Sequence, residues 1–182
     1  MKLTKLLLEY PGAFTPAPDD ERKKNREDFK NRKDPYKIIN QYIENGNRGD
    51  LIIDDGRFLT HLPDNLTVNG ILSISNANLL KHLPKGLKIE KGLYLFSTSI
   101  EDLPEDLVAR SIEIENSNLT HLPENLELPG SLIIGESFLE ELPANIKVGS
   151  SISLYELPRF RKLPDNLSVK IHLNLYRCVA LT

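Results

Sequence analysis

Apolar residues recur along most of this chain as pairs separated by one position: Leu51/Ile53, Leu72/Ile74, Leu93/Leu95, Ile112/Ile114, Leu132/Ile134, Ile152/Leu154 and Leu173/Leu175. Alternation of this kind predicts strands buried on one face. A Leu-Pro step precedes every pair but the first, at Leu62-Pro63, Leu83-Pro84, Leu103-Pro104, Leu122-Pro123, Leu142-Pro143 and Leu163-Pro164. These steps lie 21, 20, 19, 20 and 21 residues apart. Behind each comes a second apolar column, Leu66, Leu87, Leu107, Leu126, Ile146 and Leu167, partnered by Val68, Ile89, Leu128, Val148 and Val169. Gly70, Gly92 and Gly130 fall near the bend between the two columns, with Gly149 nearby, and the unit closes on an apolar residue such as Leu79. Self-similarity at a period near twenty predicts a solenoid. Each coil would hold two short strands, and the seven main pairs would stack in register as a parallel sheet, right-handed by the chirality of parallel crossovers.

Asn65, Gly86, Asp106, Asn125, Asn145 and Asn166 all stand two residues beyond the proline. These residue types tolerate a left-handed backbone, so the column is expected to be a left-handed corner. Upstream of the repeat the pattern changes. Residues 1–18 carry Leu3, Leu6, Leu7 and Leu8 and then Pro11, Pro16 and Pro18, which predicts an extended arm. Residues 19–33 are highly charged, with acids leading and bases trailing, as a helix dipole prefers. Asp34-Pro35 starts a second helix, whose face is Tyr36, Ile38, Ile39, Tyr42 and Ile43, and Gly46 ends it. The expected organisation is an arm (1–18), a helical N-terminal cap (19–48) and a mainly β repeat solenoid of about seven rungs (49–182).

The segments Leu72-Ser-Ile-Ser-Asn-Ala-Asn-Leu79, Leu93-Tyr-Leu-Phe-Ser-Thr-Ser-Ile100 and Ile112-Glu-Ile-Glu-Asn-Ser-Asn-Leu119 resemble leucine-rich repeat proteins, in the short Leu-Pro-containing variety found in bacteria and their phages. The resemblance covers roughly residues 50 to 182. It implies a leucine-rich-repeat-like stack that recognises another protein, in a phage or bacterial accessory or inhibitor role. The sequence departs from it at the family's buried Asn, where Ala77, Thr98, Ser117, Ser137 and Cys178 stand, and in the extra Leu-x-Val pair.

Composition narrows the function. A net charge of -3 and a pI near 5.8 argue against a nucleic-acid binder. One cysteine, Cys178, permits no internal disulfide and fits a reducing compartment. The N-terminal apolar run is broken by Lys5 and Glu9, and no stretch reaches the length of a membrane span, so a cytoplasmic protein is expected.

Candidate chemistry is sparse. The residues before each Leu-Pro, His61, His82, Asp102, His121, Glu141 and Lys162, would stack at roughly 4.8 Å intervals. Two adjacent histidines and a carboxylate suit a metal, but a polar turn ending in a lysine reads better as a solvated edge. Cys178 sits at a buried repeat position, and no nucleophile triad, phosphate loop or dinucleotide fingerprint appears. We therefore expect a non-enzyme with no metal and no cofactor.

The outward positions of the strands carry more information. An inert face would be Ser, Thr, Lys and Glu, as at Ser73, Ser75, Ser151 and Ser153. Instead Tyr94, Phe96, Ile133, Tyr155 and Tyr176 recur there beside Glu113 and Glu115. Partly exposed aromatics rimmed by polar groups are typical interface anchors, and the two acids would select a basic patch on a partner protein. Two alternatives stand beside this. The last coil, followed only by Arg177 to Thr182, could self-associate as a structural or virion subunit. A groove enzyme would need more clustered acids than Glu113 and Glu115.

Overall fold

In a computed structural model the chain divides into two units, Met1–Arg32 and Lys33–Thr182. The structure describes residues 34–181, so the expected arm and the charged helix over 19–33 lie outside the described residues. The second unit begins with helix α1 (Pro35–Glu44). Asp34 caps it, its side chain accepting from the Tyr36 N–H at 2.9 Å, and Pro35 supplies a first-turn residue whose missing N–H is not needed. Ile39 and Tyr42 are buried, whereas Ile43 points away, so the apolar face is narrower than the sequence predicts. Tyr42 Oη donates to the Asn47 carbonyl at 2.7 Å and accepts from the Asn69 N–H at 3.1 Å, tying the helix to the first coil.

Eleven strands follow: β1 (Leu51–Ile53), β2 (Thr67–Val68), β3 (Leu72–Ala77), β4 (Lys88–Ile89), β5 (Gly92–Thr98), β6 (Ser111–Glu115), β7 (Glu127–Leu128), β8 (Leu132–Gly135), β9 (Lys147–Val148), β10 (Ile152–Tyr155) and β11 (Leu173–Tyr176). The seven longer ones form one parallel sheet in the order β1-β3-β5-β6-β8-β10-β11. The predicted pairs align rung on rung, as in Leu72 with Leu93, Leu93 with Ile112 and Ile112 with Leu132. The described residues thus form a parallel repeat solenoid with one short helix at the start of the stack. The extra Leu-x-Val pair builds the second sheet of the coil, as β2 with β4 and β7 with β9.

That second sheet is interrupted between Val108 and β7, and the sequence supplies two reasons. In neighbouring coils the N–H three positions past the inward leucine column donates to the coil before, as Glu90 N to Val68 O (2.9 Å) and Gly149 N to Leu128 O (2.7 Å). Pro129 holds that position in its coil and has no N–H to give. The repeat starting at Leu103 is also the 19-residue one, short by a residue between Ala109 and Ile112. Gly149 illustrates how tightly the coils stack, since a Cβ there would overlap the Pro129 carbonyl.

Two local expectations are corrected. Of the column beyond the proline, only Asn65 (φ 58°) and Gly86 (φ 70°) are left-handed. Asp106, Asn125, Asn145 and Asn166 instead fill ordinary turns closed by bonds such as Leu107 N to Pro104 O (3.1 Å), whose third residue needs no positive φ. The left-handed column lies at the strand exit: Asn76, Ser97, Asn116, Glu136, Glu156 and Arg177, with φ between 47° and 57°. A kink there turns the next residue, Ala77, Thr98, Ser117, Ser137 or Leu157, inward after an outward one. The second correction follows. The closing apolar residue is Leu80, fully buried in a column with Leu59, Ile100, Leu119, Leu139 and Phe160, while Leu79 is exposed.

Candidate functional site

Parallel register collects the seven predicted anchor residues on one face. One outward column runs Ser73, Tyr94, Glu113, Ile133, Ser153 and Asn174 across β3 to β11. The next runs Ser75, Phe96, Glu115, Gly135, Tyr155 and Tyr176. Adjacent strands are about 4.8 Å apart, so residues scattered over 80 positions of sequence become neighbours. Tyr94, Phe96, Glu113, Glu115, Ile133 and Tyr155 are half-buried, whereas Tyr176 on the last rung is exposed.

The aromatic side chains form two walls. Tyr94 and Phe96 on β5 stand nearly parallel, with ring centroids 6.5 Å apart and planes 27° from one another. Tyr155 on β10 lies back across β8, because Gly135 leaves the space a side chain would take: a Cβ there would overlap the ring. The ring thereby aims its hydroxyl toward Glu115. Burial pushes the Tyr155 phenol well above the ordinary tyrosine range, helped by the nearby Glu115 and by the charges of Glu113 and Glu136. Sequence reasoning missed Gly135. A lone glycine inside a strand, among large residues, marks a close approach and could have pointed to it.

Glu113 and Glu115 sit two apart on β6 and share the floor between the walls. Burial raises the Glu113 carboxyl above its usual value, followed by the charge of Glu115 and a hydrogen bond with it. No described cation pairs with either carboxylate. The floor is therefore negative, half-desolvated and unneutralised, with aromatic faces on both sides.

The column before the Leu-Pro steps does not gather into one centre. His82 Nδ1 meets Asp102 Oδ1 at 2.9 Å, whereas His61 turns to Thr60 (3.0 Å) and to Tyr36 (3.3 Å), and His121 to Thr120. Among the described residues no group of three or more His, Cys, Asp or Glu is arranged to hold a metal ion. Cys178 is half-buried, its thiol pushed up by burial, and donates weakly toward the Leu154 carbonyl. No described helix is long and apolar enough to cross a membrane.

The last rung differs from those before it. Leu173 is 42% exposed and Leu175 half-buried, where Ile152 and Leu154, one rung earlier in the same columns, are fully buried. At its exit the Arg177 guanidinium lies 5.1 Å over the Tyr176 ring while Nη1 donates to Glu156 at 2.8 Å. Compared in turn with models of protein families, with curated proteins and with solved structures, the chain matches none of them.

Proposed function

We propose that this protein is a non-enzymatic interaction module that binds a partner protein through the outward face of its seven-stranded sheet. The observation carrying this is the assembly of Tyr94, Phe96, Glu113, Glu115, Ile133 and Tyr155 from four strands into one half-buried patch. Aromatic anchors at a rigid sheet face lose little conformational freedom on binding, and the two acids choose a basic complement. The resemblance of the repeat to leucine-rich repeat proteins supports the same reading, as a phage or bacterial accessory or inhibitor protein. The lone cysteine supports a cytoplasmic setting. The test is a photo-crosslinking amino acid placed at Ile133 on the front face or at Lys88 on the second sheet, in the full chain exposed to extract of the source cells. A discrete heavier adduct from position 133 alone is the expected result. Equal labelling from both positions would sink the reading.

The exposed apolar side chains of β11 favour a second reading, a structural subunit that self-associates through its last rung. Light scattering over a range of concentrations decides it, because a mass that stays at one chain removes this reading and leaves the first.

A further inference from the structure

The chain itself shows what settles over an aromatic ring beside an acid on this surface. Arg177 lies 5.1 Å over Tyr176 and donates to Glu156 at 2.8 Å; beyond the strands, Arg159 lies 4.8 Å over Phe138, the ring contact alone. Tyr94, Phe96, Glu113, Glu115 and Tyr155 repeat that combination on a larger scale, with rings on two sides and two carboxylates between them. No described cation stands over these rings or pairs with these acids. We propose that this part of the sheet face is the seat of an arginine side chain carried by the partner protein, its guanidinium lying against the Phe96 and Tyr155 rings and donating to Glu115 and Glu113. The inference rests on the protein-binding reading above and names the side chain which that reading requires.

Arginine fits better than lysine for three reasons. Its planar fork can serve two carboxylates at once, it stacks on rings, and it gives up hydration more readily than an ammonium group. Ile133 forms an apolar shoulder beside the acids that suits the methylene stem. The seat also explains the unfavourable pairing of Glu113 with Glu115, since a guanidinium would neutralise both. The ionisable groups around Glu113 are Tyr94 on β5, Glu115 on β6 itself and Tyr155 reaching over β8, with Glu136 just beyond β8. None of these is a cation. A proton on Glu113 therefore competes with the guanidinium, and any proton held there passes to the buffer as the arginine enters.

The test uses the full chain and three blocked tripeptides, Gly-Arg-Gly, Gly-Lys-Gly and Gly-citrulline-Gly, followed by aromatic-region NMR. The arginine peptide should shift the Tyr94, Phe96 and Tyr155 ring signals saturably, and citrulline, which has the same shape without the charge, should bind at least tenfold more weakly. Glu115→Gln should cut arginine binding tenfold or more, Glu156→Gln should leave it unchanged at these rings, and acidification should weaken it. Equal affinity for citrulline or lysine, or binding that survives Glu115→Gln, would overturn the assignment. The two readings fail separately. Front-face crosslinks without arginine binding remove only the seat, whereas arginine binding without front-face crosslinks removes the protein-binding function.

Discussion

Thr98 and Ser137 occupy the inward slot that follows the left-handed kink, and both hydroxyls are buried with no hydrogen-bond partner. Ser117, in the coil between them, is also buried, but its Oγ accepts from the Leu119 N–H at 3.3 Å. One column therefore holds two unsatisfied hydroxyls and one satisfied one, and the same kind of substitution should have opposite signs along it. A buried polar group left unpaired costs about 1–3 kcal/mol in desolvation, whereas a made bond contributes about 1 kcal/mol net. Thr98→Val keeps the shape of the side chain and Ser137→Ala only trims it, so each should stabilise the fold by about 1 kcal/mol after packing losses. The two sites are two rungs apart, roughly 10 Å, and their effects should nearly add. Ser117→Ala should instead destabilise by about 1 kcal/mol. Urea unfolding followed by circular dichroism gives the comparison, provided the slope of the transition is unchanged, because stacked coils can lose cooperativity. Destabilisation by Thr98→Val of more than about 1 kcal/mol would mean that the hydroxyl is bonded in solution, and the account of the slot would fail.

Three further outcomes are expected. Glu136 holds φ 47° at a strand exit where other coils of the same column use Asn76 and Asn116, so Glu136→Asn should raise stability by about 1 kcal/mol in the same urea assay, and Asn116→Ala should lower it by a similar amount. Gly135→Ala should drive the Tyr155 ring off β8, and spectrophotometric titration should then find this tyrosine back toward its ordinary range; an unchanged high value would mean the ring is not held by that gap. Glu113 binds its proton more tightly folded than unfolded, so between the ordinary Glu value and its raised one the native state holds more protons and stability falls as pH rises. Glu113→Gln should therefore stabilise the protein at neutral pH and lose that advantage below the ordinary Glu range, which paired thermal melts at the two pH values can check.

The solenoid was legible because its cause is periodic. An apolar pair every twenty or so residues can be buried only by its counterparts in adjacent coils, and the register Leu72-Leu93-Ile112-Leu132 follows from that alone. Membership of the front face was legible for the same reason, since the skipped residue of each pair must point the other way. Corner geometry was not, because Asn and Asp suit both a left-handed corner and the third position of an ordinary turn. Residue type marked Asn65 correctly and Asn125 wrongly. The strand-exit column hid for the opposite reason: Glu136, Glu156 and Arg177 are poor left-handed residues, held there by the need to aim Ser137, Leu157 and Cys178 inward. Leu79 and Leu80 were indistinguishable as letters, and the extra residue of the 21-residue coil decides between them, since the buried Leu80 stands four past its kink where Leu119 stands three. The site shows the same division. Its members could be read from alternation, but the walls depend on a ring lying over Gly135, a contact between neighbouring coils that no single repeat contains. In a stacked fold, then, sequence reveals which residues share a face, while side-chain reach across the rungs decides which of them act together.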